Sequence, residues 1–155
     1  MKNVKKIIEC FGGFQYLLAG GVIEVESDGF MPMRIMLAPR PGPRGLPVLK
    51  VAHVGSENGP GGGGRLLRDP EIDFEIDTTG KKWVWFPVSH ENDFTGLYLL
   101  CCWKNRAGQV LAREVMAKDI MDFAKMWDGN IKVMGFLDAA FAQCGKKILK
   151  LHPKT

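Results

Sequence analysis

Apolar positions in the first dozen residues repeat at helical spacing. Val4, Ile7, Ile8 and Phe11 follow i, i+3, i+4, i+7, which predicts a short amphipathic helix with Asn3 as its N-cap. The period then shortens to that of strands. Val22–Glu26 and Met31–Ala38 flank Ser27-Asp28-Gly29, a good turn signal. Pro39-Arg40-Pro41-Gly42-Pro43-Arg44-Gly45 can be neither helix nor central strand, so it reads as an extended loop. Strand-like runs resume at Pro47–Val54, at Ile72–Asp77 paired with Lys82–Val88, and at Gly96–Trp103 paired with Gln109–Val115 across Asn105-Arg106-Ala107-Gly108. The pattern thus gives about seven strands with no helix between consecutive ones, hence an antiparallel meander.

Near residue 119 the period lengthens again. Ile120, Phe123, Ala124, Trp127, Ile131 and Met134 fall on one helical stripe. The stripe keeps its phase across Asp128-Gly129-Asn130, which predicts one long helix over about 119–143, capped by Asp119 and ended by Gly145. Two helices broken at Gly129 are the alternative. The expected fold class is therefore α+β: a meander sheet, a short N-terminal helix and a long amphipathic C-terminal helix packed on the sheet. All 155 residues are read as a single domain, with flexible loops at 39–47 and 56–69 and a basic tail at 146–155.

Several strands are apolar on both faces. Leu49 and Val51 oppose Val48, Ala52 and Val54; Trp83 and Trp85 oppose Val84, Phe86 and Val88; Leu97 and Leu99 oppose Tyr98 and Leu100. Such strands need two covers. The C-terminal helix supplies one. The second falls to the N-terminal helix, to sheet curvature or to another subunit as a homodimer.

Composition narrows the class without naming an activity. The hydrophobic fraction of 46% and charged fraction of 25% are those of ordinary globular proteins, which excludes a disordered or fibrous chain. No apolar run approaches the ~18 residues of a membrane span. The lysines before the first apolar stretch loosely suggest a signal peptide, but Glu9, Gln15 and Gly12-Gly13 interrupt it, favouring the helix. Cys10, Cys101, Cys102 and Cys144 show no CxxC spacing, so zinc and a disulfide framework are not expected, and reduced thiols in a cytoplasm are. The net charge of +4 hides a basic beginning and end around an acidic middle: residues 51–100 hold four basic and eight acidic side chains.

That middle carries the polar constellation His53, Glu57, Asn58, Asp69, Glu71, Asp73, His90, Glu91, Asn92 and Asp93. In a meander these residues share one sheet edge. Two histidines among carboxylates suit a divalent metal, with His53, Asp69, Glu71 and His90 as ligands. The plainer reading is stronger. Glu71, Asp73, Glu75 and Asp77 alternate with Ile72, Phe74 and Ile76, as on a half-buried strand; His53 lies on the face of Leu49 and Val51, as a core histidine does; and Ser89–Asp93 reads as a turn. No metal or other cofactor is expected. Gly59-Pro60-Gly61-Gly62-Gly63-Gly64-Arg65 lacks the Gly-Lys-Ser/Thr and the helix of a phosphate loop. Lys81-Lys82-Trp83-Val84-Trp85-Phe86 offers cations and rings to a nucleic acid, but its hairpin neighbour is acidic. No serine elbow or cysteine–histidine pair is present, so covalent catalysis is unsupported.

Val51-Ala52-His53, Glu57-Asn58-Gly59, Arg68-Asp69-Pro70-Glu71 with Phe74, then Asn92-Asp93 and Gly96, resemble an uncharacterised domain family of bacterial genomes, plasmids and phages. Trp127-x-x-Asn130-Ile131 and Gly135-Phe136 add a weaker echo, so the likeness spans about residues 48–141. Pro60–Gly64 departs from the family pattern by lengthening the step from Asn-Gly to Arg-Asp-Pro-Glu. The resemblance implies a mobile-element or accessory context and singles out Asn58, Asp69, Glu71, Asn92 and Asp93 as a shared feature. It assigns no reaction.

The leading expectation is a non-enzymatic binding or interaction module, with a protein partner or a second copy of itself. The alternative is a metal-dependent hydrolase or nuclease using His53, Asp69, Glu71, His90 and Asp93. A nucleic-acid binder is third.

Overall fold

The computed structural model describes residues 1–59 and 63–151, with side chains as far as residue 145. Two short helices, α1 (Lys2–Cys10) and α2 (Gly13–Leu18), precede eight strands: β1 (Ile23–Val25), β2 (Met33–Leu37), β3 (Val48–Ser56), β4 (Leu66–Asp77), β5 (Val84–Asn92), β6 (Leu97–Leu100), β7 (Cys102–Lys104) and β8 (Val110–Ala112). Helices α3 (Glu114–Val133) and α4 (Phe136–Leu151) follow. β1 to β6 form one antiparallel sheet in chain order, and β7 with β8 forms a separate hairpin. The α+β meander is thus as the pattern predicts.

Strand parity sorts the sheet into two faces. Ile23, Val25, Met33, Ile35, Leu49, Val51, Ile72 and Phe74 turn inward and join Val4, Ile7, Ile8, Ile120, Trp127, Ile131 and Phe136 of the helices in one core. The outward face carries Glu24, Arg34, Lys50, Glu71 and Asp73, aligned across the strands by the registers Glu24↔Arg34 and Lys50↔Asp73. One end of that face, around Val48 and Phe86, is apolar. There the 39–47 loop lies over it. The buried Glu75 carboxylate accepts the Arg44 backbone N–H at 2.6 Å and the Leu46 N–H at 3.3 Å, and pairs with the Arg44 guanidinium at 3.0 Å. Arg44 also lies over the Phe86 ring. The second cover is therefore intramolecular at this end, and over β1 to β4 charged side chains line the face instead.

The C-terminal region departs from the single-helix expectation. The break falls at Gly135, at φ +83°, and not at Gly129. Ser27 Oγ donates to the Met134 carbonyl at 2.6 Å, satisfying a helix-end acceptor where α3 stops. Asp128-Gly129-Asn130 stays helical within α3, and Asp128 makes long-range bonds. Its carboxylate accepts the backbone N–H groups of Asn3 and Val4 at 3.0–3.1 Å, and its carbonyl accepts the Asn3 side chain at 2.8 Å. Asp128 thus caps α1 from outside, a role assigned to Asn3 from sequence; charge-assisted capping of this kind is worth about 1–2 kcal/mol. Two further helix ends differ. α3 starts at Glu114 after Arg113, leaving Asp119 internal, and α4 runs through Gly145.

Two of the four cysteines are also not free thiols. Cys10 of α1 and Cys144 of α4 form a disulfide with 6.2 Å between Cα atoms, closing a loop of 134 residues. That bridge removes the thiol argument for a cytoplasmic setting. Cys101 and Cys102 remain free and buried; burial pushes Cys101 up to about 11 and raises Cys102, so neither is a thiolate at neutral pH. No helix among the described residues is long and apolar enough to cross a membrane. The expectations for Pro60–Gly62 and for the last four residues of the basic tail lie outside the described residues, as do the side chains of that tail.

Candidate functional site

The β3–β4 ladder is interrupted once. Ala52 pairs with Glu71 and Val54 with Arg68, so His53 alone opposes the two residues Asp69 and Pro70. A bulge of this kind aims a side chain away from the regular ladder. Here it sets His53 beside Asp69, at the wall of a cleft of about 340 Å³ lined by Gly29, Phe30, Met31, Pro70, Trp127 and Met134 besides these two. Three parts of the chain meet there: the β1–β2 turn, the bulge, and the corner where α3 gives way to α4.

His53 is only 4% exposed, and its Nε2 has no hydrogen-bond partner among the described residues. Its ring stacks on Phe136 at 4.9 Å between centroids and meets the Trp127 edge at 5.2 Å. Burial lowers its pKa to about 4, against the opposing pull of the Asp69 charge and a hydrogen bond to the Asp69 backbone. At neutral pH the ring is therefore uncharged, with one nitrogen a donor and the other an acceptor. Asp69 is fixed in turn by Asn92, whose side-chain amide donates to its carboxylate. The Asn92 carbonyl oxygen accepts the backbone N–H groups of Phe94 and Thr95, which tightens the β5–β6 turn.

The other predicted site residues lie elsewhere. His90 is strand, not turn: it pairs with Ile72 and Leu99 inside β5 and stacks on Phe123 at 4.6 Å. Its Nε2 is also buried and unpartnered among the described residues, and burial lowers its pKa. Glu71 and Asp73 sit on the outward face, each bonded to Lys50 Nζ, at 2.8 and 2.9 Å. Glu91 and Asp93 hold Arg68, at 2.6 and 3.0 Å, and Asp93 also pairs with Arg65. Hydrogen bonds from the Arg68 side chain and backbone hold the Asp93 carboxyl down to about 2. Glu57 and Asn58 stay at the β3–β4 tip, where Glu57 N–H donates to the Arg65 carbonyl and Asn58 Nδ2 to that of Gly63. The structure therefore joins His53, Asp69 and Asn92 and separates them from Glu71, His90 and Asp93. Among the described residues no three His, Cys, Asp or Glu side chains form a group suited to a metal.

Sequence reasoning missed the apolar half of the cleft. Trp127 and Met134 were on the helical stripe and read as core, while Phe30, Met31 and Pro70 carried no signal beyond the turn and the Asp-Pro step. A larger groove of about 480 Å³ runs along β1 and β2 beside Phe11 and Gln143. Its charged groups, Arg34 and Glu24, are already bonded to each other at 2.5–2.8 Å.

The family model described as Domain of unknown function (DUF6908) matches residues 2–137, which takes in the cleft and stops as α4 begins. No curated protein and no solved structure matches the chain.

Proposed function

We propose that this chain, which belongs to the DUF6908 family, is a binding module whose ligand places an apolar, flat group bearing a hydrogen-bond donor in the His53–Asp69 cleft. The observation that carries this reading is the buried imidazole at the cleft wall with a nitrogen left unbonded among the described residues. An unsatisfied buried polar atom costs about 1–3 kcal/mol, and a donor supplied by a ligand recovers that cost. Trp127, Phe30 and Met134 give the apolar contact, and Asp69, steadied by Asn92, offers a second acceptor. An apolar cavity with a few convergent polar groups is the usual form of a small-ligand site. As part of the same proposal we place the protein among accessory proteins of bacterial mobile elements or phages, on the likeness of its Arg-Asp-Pro-Glu and Asn-Asp motifs.

Indole and 1-methylindole test the reading, since they differ in the one N–H that would meet an acceptor. In heteronuclear NMR titrations indole should shift the signals of His53, Trp127 and Phe30 saturably and bind at least several-fold more tightly than 1-methylindole. His53→Phe should abolish that preference. Equal binding of the two, or no saturable shift at the cleft, would contradict the proposal.

A further inference from the structure

The two edges of the six-stranded sheet are finished differently. At β1, Gln143 Nε2 of α4 donates to the Glu24 carbonyl at 3.1 Å and the Tyr16 hydroxyl donates to the Val22 carbonyl at 3.2 Å. Helix side chains thus occupy that edge. At β6 nothing does. The bond from Cys101 N–H to the Val88 carbonyl fixes the phase of the β5–β6 ladder. Leu97 and Leu99 accordingly turn their backbone groups to β5, while Tyr98 and Leu100 turn theirs outward. No hydrogen bond among the described residues meets those outward groups.

The side chains do not protect the edge either. Natural edges carry lysine, proline, a bulge or an inward charge. Leu97-Tyr98-Leu99-Leu100 has none of these, and it leaves Tyr98 61%, Leu97 36% and the neighbouring Phe94 62% exposed. We infer that β6 is an interaction surface whose occupant is β6 of a second copy, paired antiparallel about a two-fold axis through Tyr98.

Two properties select a second copy. The strand is uncharged, so it meets itself without the like-charge repulsion that charged strands suffer. The phase also allows self-pairing: centring on Tyr98, whose backbone groups turn outward, makes it a hydrogen-bonded pair with its own copy. Leu97 then faces the partner's Leu99, and the two exposed tyrosines form a cross-strand aromatic pair on the outward face. The pairing leaves the His53 cleft untouched, so it stands apart from the ligand proposal.

Sedimentation equilibrium of the full chain, from micromolar to submillimolar concentration, tests this. The expected result is a reversible dimer that Leu97→Lys and Tyr98→Lys each weaken at least tenfold, both at exposed positions that the fold tolerates. Hydrogen exchange should slow at Tyr98 and Leu100 as concentration rises. A monomer throughout the range would overturn the inference, whether the edge then stays bare or serves a different protein. A dimer unaffected by either lysine, with no change in exchange at β6, would overturn it equally.

Discussion

The two faces of the sheet treat buried polar groups in opposite ways. On the outward face these buried or half-buried charges have partners: Glu75 has Arg44 and two backbone N–H groups, Lys50 has Glu71 and Asp73, and Arg68 has Glu91 and Asp93. On the inward face two imidazoles are buried among aromatic rings, each with a nitrogen left unbonded among the described residues. Those outward charges are satisfied within the chain. The inward face leaves these two nitrogens without a partner among the described residues, and His53 borders a cleft. The difference locates the site better than a count of polar residues would, since most of the polar residues lie on the outward face.

The largest expected effect comes from acid. His53 has a folded pKa of about 4 against an ordinary 6.5, so the unfolded chain binds more protons between those values. Stability should therefore fall as pH drops through 6.5 toward 4, by roughly 3 kcal/mol from this residue, and stop falling on its account below that. His90 adds to the loss in the same direction. The Asp93 contribution acts lower, disappearing as pH falls through the interval from 3.8 to about 2. Urea denaturation at pH 7, 5.5 and 4.5 should show the histidine term, and His53→Leu should flatten most of it. A wild-type profile that is level over that range would break the comparison.

On the outward face the largest effect should follow from removing one partner of the buried pair. Arg44→Met leaves the Glu75 carboxylate with backbone donors alone, at a cost of about 2 kcal/mol, less than for a fully buried pair because Arg44 is partly exposed. Lys50→Met uncovers two half-buried carboxylates and should cost about 1 kcal/mol, read from the midpoint of urea unfolding. The smallest effect is expected at the sealed imidazole. His90→Leu exchanges ring stacking for relief of an unbonded nitrogen and should leave stability within about 1 kcal/mol of the parent, with indole binding unchanged.

These contrasts also mark what the sequence could disclose. The meander followed from period-2 runs and turn residues, and His53 was read as a core histidine because it shares the parity of Leu49 and Val51. Local pattern was enough for both. The break between α3 and α4 was not legible, because two long-range bonds decide it: Asp128 is drawn to the α1 N-terminus, and Ser27 meets the end of α3. Neither Gly129 nor Gly135 announces which of them will yield. The Cys10–Cys144 bridge joins residues 134 positions apart, a separation on which spacing rules are silent. Of the candidate site, His53, Asp69 and Asn92 were named from sequence. Their separation from Glu71 and Asp93 depends on which face each takes at the β3–β4 bulge, and periodicity fails where a strand carries an extra residue. His90 was misplaced in a turn because Asn92 and Asp93 look like turn residues; their side chains in fact reach Asp69 and Arg68 across the sheet.

The most direct measurement is nitrogen NMR of the histidine rings, recorded with and without indole. The account predicts that His53 stays neutral from pH 7 to below 5, and that indole moves one of its ring nitrogens while leaving His90 unmoved. A His53 ring that titrates near 6.5, or one indifferent to indole, would contradict it.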